Sequence, residues 1–140
     1  MTIDKALFSS DSDEWATPQD FYDRLNERFN FDLDPCATDD NHKCDIYHTE
    51  AENGLMQSWA GNRVFCNPPY SDIKSWVAKA ASEIALTVML IPARVDTRWF
   101  HEHIYKKPHV DIEFIKGRLK FGNSKNSAPF PSMLVIFNNL

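Results

Sequence analysis

Several features that are common in proteins are absent or scarce in this sequence of 140 residues. It has no apolar run of about 18 residues and no basic segment followed by an apolar one at its start, so we expect neither a membrane span nor a secretory leader. Its three cysteines, an odd number, are typical of reduced thiols and not of a disulfide framework. These absences predict a cytoplasmic protein without a membrane partner.

The length and the apolar content predict one domain with one core. Hydrophobic residues make up 43% of the chain and aromatic residues 13%, which is ample for a single core, and there is no internal repeat or low-complexity tract. Residues 1–14 are polar and show no apolar period. We predict that they form a flexible arm ahead of a domain that spans residues 15–140.

Positive charge is scarce overall, and its distribution is uneven. The formal net charge is −5, but residues 1–60 carry 14 acidic and 4 basic side chains, whereas residues 61–140 carry 6 acidic and 11 basic ones. A basic second half is suited to face phosphates, and an acidic first half is suited to face solvent and a cationic ligand. The alternative is a drift of surface charge without a function.

The spacing of apolar residues predicts alternating helices and strands. The run from Leu86 to Ile91 is continuously apolar, which is typical of a strand covered on both faces. Strands are predicted over residues 31–34, 63–66, 86–91, 110–115, 117–121 and 133–137, with a loop at 123–128 and a weak strand signal at 46–47 in the loop-like stretch 36–62. Helices are predicted over residues 18–29, from Ser71 to Ile84, and over residues 96–104. This order predicts an α/β fold with a compact mixed sheet flanked by helices.

Local signals set the bounds of three of these elements. Thr17 is placed to cap the first helix with Pro18 at the first helical position, and Ser71 is placed to cap the second. Pro35 cannot donate to a central ladder, so it ends the first strand.

A loop of four residues, Asn67-Pro68-Pro69-Tyr70, follows the strand at residues 63–66. The side-chain carbonyl of Asn67 and the backbone carbonyl of Pro68 are two acceptors that can converge on a planar amino group. Tyr70 offers an aromatic face on which a base can stack. These residues predict a site that grips a planar amine, and the alternative is a Pro-Pro loop that ends in a surface tyrosine.

The four-residue loop resembles the catalytic motif of amino-group methyltransferases that use S-adenosylmethionine. Further segments occur in an order similar to that of the phage-type DNA N6-adenine methyltransferase family, and the resemblance covers nearly everything from Trp15 to Phe137. These segments are Trp15-Ala16-Thr17-Pro18, Phe31-Asp32-Leu33-Asp34-Pro35-Cys36-Ala37, residues 90–100, residues 114–121 and residues 129–137. The resemblance implies a single-domain Rossmann-like methyltransferase of bacteriophage type. It would methylate adenine N6 in double-stranded DNA, without a metal, in the cytoplasm of a bacterial host.

The resemblance also implies where the cofactor S-adenosylmethionine binds. Asp34 and Pro35 match an Asp-Pro motif whose carboxylate would meet the positive methionine end of the cofactor. Thr17 and Pro18, next to Trp15, match a Thr-Pro motif that meets its carboxylate, which a helix N-terminus suits physically. The alternative for Asp34 is a turn carboxylate at the end of a strand.

Two departures from the family pattern concern the same cofactor. None of the four glycines lies in the turn directly after Pro35, where most methyltransferases of this fold have a glycine-rich turn. S-adenosylmethionine has no phosphates, so a missing cradle of this kind does not exclude it. The family triplet Asp-Gly-Leu reads Asn53-Gly54-Leu55 here, and Asp45, or otherwise Glu50 or Glu52, would take the ribose hydroxyls.

Cysteine and histidine residues cluster near the first strand and beside the motif. Cys36, His42, Cys44 and His48 lack the paired spacing of structural zinc sites, so loop and core roles are predicted and no metal. Cys66 precedes Asn67, but amine methylation needs no thiolate, so we predict a buried packing residue.

Basic residues of the second half are the predicted DNA contacts. Arg94 and Arg98 follow the buried strand 86–91 and should lie at the same sheet edge as the motif. Lys116, Arg118 and Lys120 are the other predicted contacts.

The partner and the acceptor leave alternatives open. A compact chain without a separate target-recognition domain predicts a short DNA target or reliance on a second subunit, as in a homodimer. One alternative function is methylation of another planar amine, in protein glutamine or RNA guanine. Another is a catalytically silent DNA-binding protein.

Overall fold

The described residues, 15–122 and 127–140 of a computed structural model, form elements close to the predicted ones. The helices are α1 (Gln19–Phe29), α2 (Ile73–Ser82) and α3 (Arg98–His103), and none of them is long and apolar enough to cross a membrane. The strands are β1 (Leu33–Asp34), β2 (Ile46–Tyr47), β3 (Arg63–Cys66), β4 (Leu86–Pro92), β5 (Val110–Phe114) and β6 (Ser132–Asn138), with short 3-10 turns at Gly54–Met56 and Tyr70–Asp72. The predicted flexible arm at residues 1–14 lies outside the described residues, as does part of the predicted loop at 123–128.

The strands form a mixed sheet in the order β2-β1-β3-β4-β6-β5. Strands β1 to β4 run parallel, whereas β6 is antiparallel to both of its neighbours. After β1 the chain moves toward one edge of the sheet to form β2, and after β3 it moves toward the other edge to form β4. The carboxyl ends of β1 and β3 therefore border a crevice of the kind in which open α/β sheets bind ligands.

Strand β4 lies at the centre of the core because both of its faces are covered. All of its residues are buried. Val88 and Leu90 pack in one cluster with residues of α1, and Met89 and Ile91 pack in another with residues of α2 and α3. The continuous apolar run therefore forms a strand covered on both sides, which confirms the prediction.

The strand predicted over residues 117–121 is wrong. Gly117 adopts a φ of +75°, and the chain beyond β5 leaves the sheet. The backbone N–H of Gly122 then donates to the carbonyl of Ala16 at 2.7 Å. Phe121 is buried against Trp15 instead of alternating on a sheet face, so this segment covers the carboxyl edge of the sheet.

Two predicted helix caps are also wrong. Pro18, with φ −57° and ψ 134°, occupies the cap position of α1, so Thr17 lies one residue outside the cap. The 3-10 turn that precedes α2 places Asp72, and not Ser71, at its cap. Ile84 lies beyond the end of α2 and is 67% exposed, so it does not belong to the apolar face of that helix.

Candidate active site

A cleft of about 970 Å³ opens at the crevice between β1 and β3. Its wall is formed by the loops after β1, β2 and β3 and by residues 15–17, which precede α1. Of the predicted site residues, the cleft is lined by Trp15, Thr17, Asp34, Pro35, Asn67 and Pro69. Pro18, Pro68, Tyr70 and Asp45 do not line it. The fold thus brings the predicted cofactor and catalytic segments together from positions far apart in the sequence.

The side-chain amide of Asn67 is held in one orientation. Its Nδ2 donates to the backbone carbonyl of Trp15 and, at 3.0 Å, to the Oγ1 of Thr17. A backbone carbonyl can only accept, so the atom that faces it must be the amide nitrogen. The Oδ1 of Asn67 is buried and has no hydrogen-bond partner within the described part of the chain. Asn67 therefore lines the cleft and carries a buried acceptor with unused hydrogen-bonding capacity.

Tyr70 is a buried residue whose ring is fixed at its hydroxyl end. It is 6% exposed, and its hydroxyl donates to the carbonyl of Leu90 at 3.3 Å. Burial raises the pKa of the Tyr70 hydroxyl, and the positive charge of Arg94 opposes this shift only in part. The hydroxyl is therefore neutral at ordinary pH, and Arg94 lies near it, as the position after β4 predicts.

An aromatic cluster of Trp15, Tyr70, Phe121 and Phe130 covers this end of the sheet. Phe121 and Phe130 present their edges to Tyr70, with ring centroids 6.4 and 5.6 Å away, and to Trp15 at 5.6 and 5.3 Å. Edge-to-face pairs at these distances are favourable. Sequence reasoning did not place Phe121 or Phe130 at the site, because it predicted a strand over residues 117–121 and assigned no role to Phe130.

Asp34 organises the loop after β1 and also lines the cleft. Its two carboxylate oxygens accept from the backbone N–H groups of Cys36 at 3.3 Å and Lys43 at 2.9 Å. Burial raises the pKa of the Asp34 carboxyl, while these two bonds oppose the shift. Asp34 therefore acts as a turn carboxylate, which was the alternative interpretation, and it also lines the cleft.

The structure does not bring Asp45 to the cleft. Asp45 is exposed just before β2, whereas Glu50 lines the cleft. Glu52 instead accepts from the backbone and the hydroxyl of Thr49, at 2.8 and 3.0 Å. Lys43 also lines the cleft and was missed, because the polar, non-periodic stretch 36–62 carries no signal for which side chains point inward.

Gly54 allows two loops of the cleft wall to approach closely. A Cβ at this position would lie 1.9 Å from the carbonyl oxygen of Pro35 and 3.1 Å from the ring of Trp76. The carbonyl of Gly54 in turn accepts from the indole N–H of Trp59 at 3.0 Å. Close backbone approach at the cleft is therefore provided by a single glycine distant in sequence from Pro35.

The cysteines and histidines have ordinary structural surroundings. Cys66 is fully buried in the core, and burial raises the pKa of its thiol, which confirms the prediction of a packing residue. Cys44 is buried beside the hydroxyl of Tyr22 at 3.5 Å. His42 stacks on Tyr47, with ring centroids 4.0 Å apart.

The predicted DNA contacts are exposed side chains on two segments. Arg94 follows β4, and Arg98 is the first residue of α3, where it lies 3.9 Å from Glu102. Lys116, Arg118 and Lys120 are exposed on the segment that covers the carboxyl edge. The structure thus leaves all of these charges available to a partner near the cleft.

Comparison with known proteins identifies the family. Residues 5–140 match the family model described as DNA N-6-adenine-methyltransferase (Dam). A protein of Haemophilus phage HP1 named DNA N-6-adenine-methyltransferase is 32% identical over 91% of this chain and 80% of its own length. A protein of the same name from Escherichia phage T1 is 35% identical over 64% of this chain, and the match spans 40% of that protein. The chain therefore belongs to the DNA N-6-adenine-methyltransferase (Dam) family.

Proposed function

We propose that this chain transfers a methyl group from S-adenosylmethionine to the N6 amino group of adenine in double-stranded DNA, in the cleft beside Asn67. The observation that carries the proposal is the Oδ1 of Asn67, a buried acceptor at the cleft with no donor among the described residues. A buried acceptor left open costs free energy unless a ligand fills it. The amino group of an adenine extruded from the duplex is such a ligand.

The cleft fits S-adenosylmethionine in size and in charge. Its volume of about 970 Å³ lies at the upper end of the range of about 300–1,000 Å³ that is usual for ligand clefts. Asp34, Asp40 and Glu50 give it an acidic wall that suits a cationic ligand, and Trp76 adds apolar surface. Bound there, the cofactor would supply an electrophilic methyl group. The position of the cleft at the switch point of the sheet also supports the Rossmann-like assignment.

Lys43 and the N-terminus of α1 are proposed to hold the carboxylate of the cofactor. The Nζ of Lys43 donates at 2.9 Å to the side chain of Gln19, the first residue of α1. A lysine and a helix N-terminus both favour an anion, so their meeting at the cleft supports this role. Asp34 is proposed to face the ammonium group. Glu50 replaces Asp45 as the proposed partner of the ribose hydroxyls.

Asn67 and Pro68 are proposed to orient the target amine. The Oδ1 of Asn67 and the carbonyl oxygen of Pro68 would accept its two hydrogens, which favours a localised nitrogen lone pair aimed into the cleft. What these residues supply is positioning and local electrostatics. No strong general base is required, because an alkylated amine loses its proton readily.

Tyr70 is proposed to stack on the extruded base. Its ring is covered by the edges of Phe121 and Phe130, so stacking requires these two side chains to move away. The bond from its hydroxyl to Leu90 would keep the ring in place during that movement. Phe121 lies on the segment that carries Lys116, Arg118 and Lys120, so DNA contacts on this segment would displace the aromatic cover.

Nucleoside analysis of co-expressed plasmid DNA tests the proposed function. In a host without adenine methylation, the wild-type chain should produce N6-methyladenine detectable by mass spectrometry. Asn67→Ala should lower the methylation rate by about 10²–10³-fold, because it removes one preorganised polar contact. Calorimetry should show cofactor affinity within a few-fold of wild type. Asn62→Ala, an asparagine outside the cleft wall, is the matched control and should retain the rate.

Incubation of the chain with labelled S-adenosylmethionine and with DNA, RNA or protein separates the alternative functions. Label found on guanine, on RNA or on protein glutamine would favour another planar amine as the acceptor. Full activity in Asn67→Ala would show that the motif is only a loop, and absence of cofactor binding would favour a silent DNA-binding protein.

A further inference from the structure

The orientation of the Asn67 amide depends on two acceptors outside the motif. The carbonyl of Trp15 and the hydroxyl oxygen of Thr17 both accept from Nδ2. An amide can rotate by half a turn and exchange its oxygen and nitrogen at almost no change in shape. The carbonyl of Trp15 can only accept, so it decides which atom of the amide is presented to a ligand, whereas the hydroxyl of Thr17 can accept or donate and fixes the position of the amide.

The hydroxyl of Thr17 is available for this contact because of how α1 begins. Pro18 holds the cap position of α1 without a side-chain bond, so the oxygen of Thr17 is not used as a helix cap. Thr17 is only 5% exposed, and its Oγ1 lies 3.0 Å from the Nδ2 of Asn67. The hydroxyl of this buried threonine thus contacts the loop that carries Asn67 and does not cap the helix.

We infer that Thr17 is a positioning residue that holds the side chain of Asn67 in place for the target amine, in the orientation that the carbonyl of Trp15 sets. The inference rests on the proposed function, in which Oδ1 accepts a hydrogen from adenine N6. In the flipped amide, Oδ1 would face the carbonyl of Trp15 and Nδ2 would face the amino group. Both pairs are unfavourable, because two acceptors meet in the first and two donors in the second.

The size of the expected effect follows from the contacts that remain. Loss of one neutral hydrogen bond changes an equilibrium by about five- to tenfold. The Trp15 carbonyl still favours the correct orientation in a Thr17 variant. The loss should therefore be clearly smaller than that of Asn67→Ala.

Three variants of Thr17 test the inference. Thr17→Val and Thr17→Ala both remove the hydroxyl but differ in side-chain volume, so one of them can be measured even if the other fails to fold. Thr17→Ser retains the hydroxyl. Single-turnover methyl transfer to unmethylated plasmid DNA should fall about five- to tenfold in Thr17→Val and Thr17→Ala and recover in Thr17→Ser. Cofactor affinity measured by calorimetry should fall by less than the rate, since Lys43 and the N-terminus of α1 are unchanged. In the cofactor-free protein, the Asn67 side-chain NH₂ signals in NMR spectra should exchange faster with solvent in Thr17→Val and Thr17→Ala.

A double-mutant cycle shows whether Thr17 acts through Asn67. In the Asn67→Ala background, Thr17→Val should produce no further loss of rate. Three outcomes would each overturn the inference. The first is a wild-type rate in Thr17→Val and Thr17→Ala, and the second is a loss of rate that adds in full to that of Asn67→Ala. The third is a loss of cofactor affinity as large as the loss of rate. Failure of the proposed function is separate, since it would appear as full activity in Asn67→Ala itself.

Discussion

Gly54 is the residue whose size most directly limits the cleft wall. Its backbone is so close to Pro35 that a Cβ would lie 1.9 Å from the carbonyl oxygen. No side chain other than hydrogen fits at that distance unless one of the two loops moves. The residue therefore links the loop after β1 to the turn that packs on Trp76.

Gly54→Ala should weaken both the fold and the cofactor site. Displacing the Pro35 loop is an overpacking change, which typically lowers the free energy of unfolding by about 1–3 kcal/mol. Urea unfolding measures this loss, and calorimetry should show weaker binding of S-adenosylmethionine. Unchanged cofactor affinity would contradict the placement of the cofactor beside Pro35.

Gly61→Ala is the control for this prediction. Gly61 has a φ of +77°, but a Cβ there would meet no atom within 4 Å. Alanine at this position should cost about 1–2 kcal/mol through backbone conformation alone. Its cofactor affinity should match that of wild type.

At the scale of elements, a bidentate ion pair joins α1 to the edge strand β5. Arg28 donates to both carboxylate oxygens of Glu113, at 2.9 and 2.6 Å, across 85 residues of sequence. The bonds from Arg28 lower the pKa of the Glu113 carboxyl below its ordinary value of 4.5. Because the folded-state pKa is the lower one, the stabilisation is present above the unfolded pKa and is lost as the pH falls through the folded one.

Glu113→Gln should therefore destabilise the protein at neutral pH and not in acid. Both side chains are well exposed, at 49% and 42%, so the loss at pH 7 should be below about 1 kcal/mol and should shrink in high salt. Urea unfolding at pH 7 and at about pH 3 measures the difference. Glu102→Gln removes the partner of Arg98 within one helix, at 3.9 Å, and should have a smaller effect. An equal loss at both pH values would show that the pair acts through packing and not through charge.

Element prediction succeeded where burial follows local periodicity and failed where a distant contact decided. Strand β4 was predicted from its run of apolar residues, since a strand covered on both faces needs no polar positions. Residues 117–121 alternate between apolar and polar side chains but form no strand, because Phe121 is buried in the aromatic cluster with Trp15. The contact with Trp15, about one hundred positions away in sequence, cannot be inferred from the local pattern of residues 117–121.

At the scale of the whole molecule, the uneven charge predicts how DNA binds. Alanine replacement of one true phosphate contact should weaken DNA binding and make the slope of log affinity against log salt less negative by about 0.9. The residues to replace singly are Arg94, Arg98, Lys116, Arg118 and Lys120. Fluorescence anisotropy over a range of salt concentrations measures both quantities. A residue that reads a base would instead lose discrimination between target and non-target DNA, and Arg94, which lies near Tyr70, is the favoured one.

Lys107→Ala is the matched control for the basic residues. Lys107 is exposed in the connection between α3 and β5, at the end of the sheet opposite the cleft. Its loss should leave affinity and salt dependence unchanged. If the five other variants behave in the same way, the basic second half does not contact DNA. The homodimer expected from the small size of the chain stays a prediction.

The sequence by itself determined the family, the order of most elements and the place of the proposed catalytic motif. These depend on local features: a buried strand followed by Asn67-Pro68-Pro69-Tyr70, and apolar spacing that a strand or a helix must satisfy whatever surrounds it. Only the tertiary structure decided which residues share the cleft. Asp45 was excluded and Glu50 and Lys43 were included, because an irregular loop has no period from which the direction of a side chain follows. The direction of the Asn67 amide was decided in the same way, by acceptors some fifty residues away that only the folded chain brings to it.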